Sequence, residues 1–102
     1  MESQIQRQIL KYLNSLPNCV AWKIQSGNER GIPDVLACYR GCFVGIEVKC
    51  PGLNPTPIQR AQMDRVVAAD GVAATARCVD DVRGVLAGVN ASLRDGANSD
   101  KP

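Results

Sequence analysis

Two apolar runs, residues 33–39 and 42–49, flank an Arg40-Gly41 pair, and this spacing constrains the fold more than any other feature of the chain. Short runs rich in Val, Ile and aromatic residues read as strands, and a two-residue link containing Gly between them reads as a tight hairpin turn. With Arg40-Gly41 as that turn, Tyr39 pairs with Cys42, Val35 with Ile46 and Asp34 with Glu47. Both runs are almost continuously apolar, which predicts a sheet covered on both faces.

The register makes the two acids direct cross-strand neighbours, with Cβ atoms about 5 Å apart. Lys49 follows Glu47 by two positions and therefore shares its face. Like charges directly opposed destabilise a sheet. A solvated acidic pair explains polar residues at a hairpin end, but not their interruption of such apolar runs. A divalent cation would resolve the conflict, because carboxylate oxygens plus a main-chain carbonyl suit Mg2+, and the Val48 carbonyl lies beside both acids. Lys49 could then hold a phosphate, or orient and help deprotonate an attacking water.

Helical spacing of Ile5, Ile9, Leu13 and Leu16 predicts a helix over 2–16, stopped by Pro17-Asn18. Residues 19–25 read as a strand and 26–31 as a polar loop. After the hairpin comes a proline-rich loop, 50–57. A helix then opens at Thr56 or Pro57, runs to about Ala69 and ends at Gly71. A strand over 73–79 follows, and Asp80 can cap a last helix carrying Val82, Val85, Leu86, Val89 and Leu93. The order is α-β-β-β-α-β-α, an α/β domain with a mixed four-stranded sheet flanked by helices. Residues 1–94 form one domain, and 95–102 are expected to be a polar, flexible tail.

The chain has 102 residues and no histidine, which excludes His-based triads and His-ligated zinc. Its net charge of +2 implies no partner by itself. Cys19, Cys38, Cys42, Cys50 and Cys78 make an odd set without a CxxC pair, and they read as small apolar residues. A zinc site at Cys38 and Cys42 is the rival reading. No run has the length of a membrane span and no signal-peptide pattern opens the chain, so the expected compartment is the cytoplasm, with no membrane partner.

Pro33-Asp34, then Glu47-Val48-Lys49 on the following strand, resembles the PD-(D/E)xK signature of restriction-endonuclease-like nucleases. With Glu2 in the first helix, Gly31-Ile32 before the Pro-Asp pair and Pro57-Ile58-Gln59 opening the next helix, the pattern is similar to the small stand-alone VRR-NUC nucleases of phages and bacteria. The resemblance covers nearly the whole chain to about Leu93. It implies a restriction-endonuclease-like core and a Mg2+- or Mn2+-dependent endodeoxyribonuclease that needs no small-molecule cofactor. It also implies a homodimer acting on branched DNA such as four-way junctions. Asp34 and Glu47 would bind the metal directly, joined by the Val48 main-chain carbonyl and by Glu2, directly or through water. Lys49 would be the catalytic lysine, and Gln59 would support the site or touch the phosphate.

Other positions have a plainer reading beside the functional one. Glu2 also suits a helix start on dipole grounds, and Gln62 competes with Gln59. Lys23 could contact phosphate or snorkel at the surface. Asn28 and Arg30, in the loop before Asp34, are candidate DNA contacts. Trp22 reads as core or interface rather than as a base-stacking platform. Arg60 and Arg65 could form a basic helix face, although such faces are ordinarily just solvated. A catalytically inactive nucleic-acid-binding module with the same fold is the alternative to an enzyme.

Overall fold

The computed structural model describes residues 1–25 and 29–99. The elements are α1 (Glu2–Asn14), β1 (Cys19–Lys23), β2 (Val35–Tyr39), β3 (Cys42–Val48), α2 (Pro57–Ala68), β4 (Val72–Ala76) and α3 (Val79–Ser99). This is the expected α-β-β-β-α-β-α order. The strands form one mixed sheet in the order β1-β2-β3-β4, antiparallel except for the parallel β3–β4 pair. A parallel pair needs a crossover, and α2 supplies it.

The hairpin register is the one the two-residue turn predicts: Tyr39 pairs with Cys42 and Val35 with Ile46. Arg40 and Gly41 both have positive φ, 52° and 82°, as a turn matching the strand twist requires. Asn14 ties the end of α1 to β1. Its amide donates to the Ala21 carbonyl at 3.1 Å and its Oδ1 accepts the Ala21 N–H at 2.9 Å. The first helix therefore ends two residues earlier than its apolar spacing suggested.

Alternate strand residues build the core. Val35, Ala37, Val44, Ile46, Val48 and Ala76 are buried on one sheet face, against Ile9 and Leu13 of α1 and Val82, Leu86 and Val89 of α3. The opposite face differs from expectation. Among the described helices only α2 lies on it, over β3 and β4, and α2 has no fully buried residue. Val20, Trp22 and Phe43 on this face remain 42%, 62% and 47% exposed. Strand composition is blind to whether a second layer exists, so continuous apolarity did not report this half-open face.

Asp80 does not cap α3, which begins at Val79. It pairs with Arg83 at 2.7 Å, while Asp81 accepts the Arg77 N–H at 2.8 Å. The last helix also continues to Ser99, so Asp95–Ser99 of the polar terminus are helical. No described helix is long and apolar enough to cross a membrane.

Candidate active site

Glu47 is the one charged side chain in the described core, 1% exposed near the C-terminal end of β3. Its neighbours Ile46 and Val48 point into the main core, so alternation turns Glu47 to the α2 face. Asp34 precedes β2 on the same face, and the ladder extends to it through the Ile24 N–H, which donates to the Asp34 carbonyl at 2.8 Å. Pro33 packs over Gly45, where an added Cβ would stand 3.1 Å from the proline ring. The Pro-Asp pair is thus seated on the next strand by the absence of a side chain at position 45.

The two carboxylates are held differently. Asp34 Oδ2 accepts the Val48 main-chain N–H at 2.8 Å. Glu47 Oε2 lies 3.9 Å from Lys49 Nζ, itself only 13% exposed. Glu47 Oε1 is buried with no hydrogen-bond partner. Burial first, then the charge of Asp34 and a hydrogen bond between the two carboxyl groups, push the Glu47 carboxyl up to about 8; Lys49 pulls the other way and the charge of Glu2 adds to the rise. A buried carboxylate oxygen without a donor is costly. A divalent cation would satisfy it, so the residues fit such an ion.

Among the described residues, no group of three acidic or thiol side chains is close enough to hold a metal alone. A site here would rest on Asp34, Glu47 and the Val48 carbonyl, with Glu2 reached through water. Glu2, half-exposed at the start of α1, is near enough to bear on the charge of Glu47.

Thr56 and Gln59 form a capping box. The Thr56 hydroxyl accepts the Gln59 N–H at 3.2 Å, and Gln59 Oε1 accepts the Thr56 N–H at 2.8 Å. The Gln59 oxygen is therefore committed to its own helix, while its amide NH2 is left for a cleft that it lines with Asp34, Arg30 and Gln25. Gln62 is turned elsewhere, donating to the Arg30 carbonyl at 2.9 Å and accepting from Arg65 at 3.1 Å. Gly31, at φ +79°, lies against Ile58, where an added Cβ would meet backbone atoms at 2.9 Å. That contact seats the loop before Asp34 on the first turn of α2.

The structure thus gathers Asp34, Glu47 and Lys49 in one cluster, with Arg30 and Gln59 at the adjoining cleft. Lys23 is not brought to it: it pairs with Val35, whose side chain faces the opposite side of the sheet from Asp34. Asn28 lies outside the described residues. Trp22 is not core. Cys38 pairs with Phe43 and Cys42 with Tyr39, so the two thiols project from opposite faces and cannot share an ion. Thr75 on β4 and Arg77 just past its end were not legible as site residues, because only the parallel β3–β4 register places Thr75 next to Glu47.

No family model matches the chain. "Putative nuclease p44" of Acyrthosiphon pisum secondary endosymbiont phage 1 is 31% identical over 68 residues, covering 66% of this chain and 72% of that protein. Two solved structures share the fold. One, described as a VRR_NUC domain, has a TM-score of 0.71 at 21% identity, covering 83% of this chain and 92% of its own. The other, a VRR_NUC domain protein, has a TM-score of 0.69 at 18% identity, covering 84% of each chain. The phage relative and the shared fold agree with the Pro33-Asp34 and Glu47-Val48-Lys49 cluster on its two strands, and the chain belongs to the VRR-NUC nuclease family.

Proposed function

We propose that this protein is a Mg2+- or Mn2+-dependent DNA endonuclease, selective for branched DNA and acting as a homodimer. The observation that carries the reading is the buried, partnerless Oε1 of Glu47 beside Asp34. A cation held by Asp34, Glu47 and the Val48 carbonyl would neutralise charge at the scissile phosphate and make water a competent nucleophile.

The chain's own residues do the rest. Asp34 is fixed by the Val48 N–H through Oδ2, which leaves Oδ1 outside that bond. Lys49 presents an ammonium within reach of the same ion site and can donate to a phosphate oxygen as negative charge develops there. Gln59 and Arg30 offer donors along the cleft, suited to the DNA backbone.

The dimer reading is supported by the half-open face. Val20, Trp22 and Phe43 make an apolar strip that one chain leaves in water, and such patches ordinarily mark an interaction surface. A two-fold dimer would present two sites, matching a two-fold branched substrate.

The test is cleavage of labelled four-way junction, flap, single-stranded and linear duplex DNA with Mg2+, Mn2+ or EDTA, beside Lys49→Ala. Divalent-dependent cutting lost in the variant supports the enzyme, and preference for the junction supports the substrate. Folded wild-type protein that binds DNA and cuts none of it would point to a binding module instead.

A further inference from the structure

Two arginines near the catalytic cluster have no role in the reading above. Thr75 is the β4 partner of Glu47, and the ladder continues past it, the Lys49 N–H donating to the Ala76 carbonyl at 3.1 Å. Arg77 is the next residue. Arg77, Thr75, Arg60, Asn54 and Asp64 line a cavity of about 320 Å³ between the end of β4, the 50–56 loop and α2. Neighbouring strands lie about 4.8 Å apart, so this cavity adjoins the Glu47–Lys49 row.

Its electrostatics are one-sided. Asp64 is the one acid lining it, and among the described residues neither Arg60 nor Arg77 forms a salt bridge with Asp64 or any other carboxylate. Arg77 is aimed by its loop: Nη2 donates to the Leu53 carbonyl at 2.7 Å and to Asn54 Oδ1 at 3.1 Å. Its Nε and Nη1 hydrogens have no acceptor among the described residues, and neither does the Arg60 guanidinium. Two donor-rich guanidinium groups around an open cavity, with a hydroxyl and an amide beside them, call for an acceptor-only anion. Guanidinium geometry matches phosphate oxygens in particular.

We infer that this cavity is a second phosphate subsite, in which Arg77 and Arg60 hold the phosphodiester next to the scissile one on the same DNA strand. The identity of the ligand rests on the nuclease reading. Arg77 also ties the subsite to the loop that leads from Lys49 to the Thr56 cap, and so to the placement of Gln59.

The experiment is binding of fluorescein-labelled single-stranded and four-way DNA in EDTA, by anisotropy, across a NaCl series. Wild type is compared with Arg60→Ala, Arg77→Ala, the double variant and Arg83→Ala. Arg83 lies on α3 and pairs with Asp80. Each phosphate contact contributes roughly 0.7 to 0.9 to the slope of log K against log salt. Arg60→Ala and Arg77→Ala are each expected to lower the slope by about that much, the double variant by about twice as much, and Arg83→Ala not at all. Loss of the Arg77 loop tie can disturb folding, so Arg60→Ala, which removes no hydrogen bond within the protein, decides alone. A wild-type slope in Arg60→Ala, while wild-type protein binds and cuts DNA, overturns the subsite and leaves the nuclease reading standing. Wild-type protein that binds no DNA overturns both.

Discussion

Asp34 accepts the Val48 main-chain N–H at 2.8 Å, while Glu47, its neighbour across the hairpin, keeps Oε1 buried with no donor. The two acids are therefore unequal. One is anchored by the backbone and the other is left with an unmet demand for positive charge. A cluster of this kind costs stability in the empty protein and is rewarded only when something binds.

Glu47→Gln should separate that cost from function. The raised Glu47 pKa, about 8 against an ordinary 4.5, means the folded protein holds this proton more tightly than the unfolded chain does. Its stabilising effect is complete below about pH 4.5 and is lost as pH rises through 8. In EDTA, the wild-type melting temperature should fall across that window, and the Glu47→Gln curve should be flatter. At pH 8 and above the variant should melt higher than wild type and cut no DNA. A variant that melts lower than wild type there would contradict the account of Glu47.

Metal should compete with the same proton. Cleavage should rise with pH toward about 8 as Glu47 ionises. Added Mn2+ should raise the melting temperature of wild type more at pH 8 than at pH 5.5, and that of Asp34→Asn little at either. Calorimetric scans with and without Mn2+ measure this directly.

Asp34→Ala, Glu47→Ala and Lys49→Ala should each reduce cleavage to background. Lys49→Ala should keep metal binding, because Lys49 is not a ligand. A metal titration by calorimetry distinguishes it from the two acid variants, and wild-type cleavage by any folded member of the three would remove that residue from the site.

Gly31→Ala should damage the site from outside. Its φ of +79° is unfavourable for a side chain, and the new Cβ would press on the Ile58 backbone. A loss of about 1 to 3 kcal/mol is expected, measurable by urea unfolding. Thr56→Ala removes half of the capping box and should cost about 1 kcal/mol. Both should lower cleavage beyond their effect on folding, because both displace Gln59.

The dimer reading places the only tryptophan, Trp22, at an interface. Its fluorescence should shift to the red on dilution through the dissociation range, and Trp22→Glu should sediment as a monomer. A monomeric wild type at high concentration would leave the half-open face without the partner proposed for it.

Local rules made much of this protein legible from its sequence. The two-residue turn set the hairpin register, alternation put Lys49 on the face of Glu47, and Thr56-Pro57 marked the start of α2, because each depends on residues close in the chain. The tertiary structure decided what depends on layers and crossovers. It showed that α2 leaves Trp22 and Phe43 uncovered, that Lys23 stands on the far face, and that the parallel β3–β4 pairing brings Thr75 beside Glu47. Side-chain parity follows from chain position alone. Burial and the neighbours a crossover delivers belong to the packed molecule, which is why the acids could be read from the sequence and the burial of Glu47 could not.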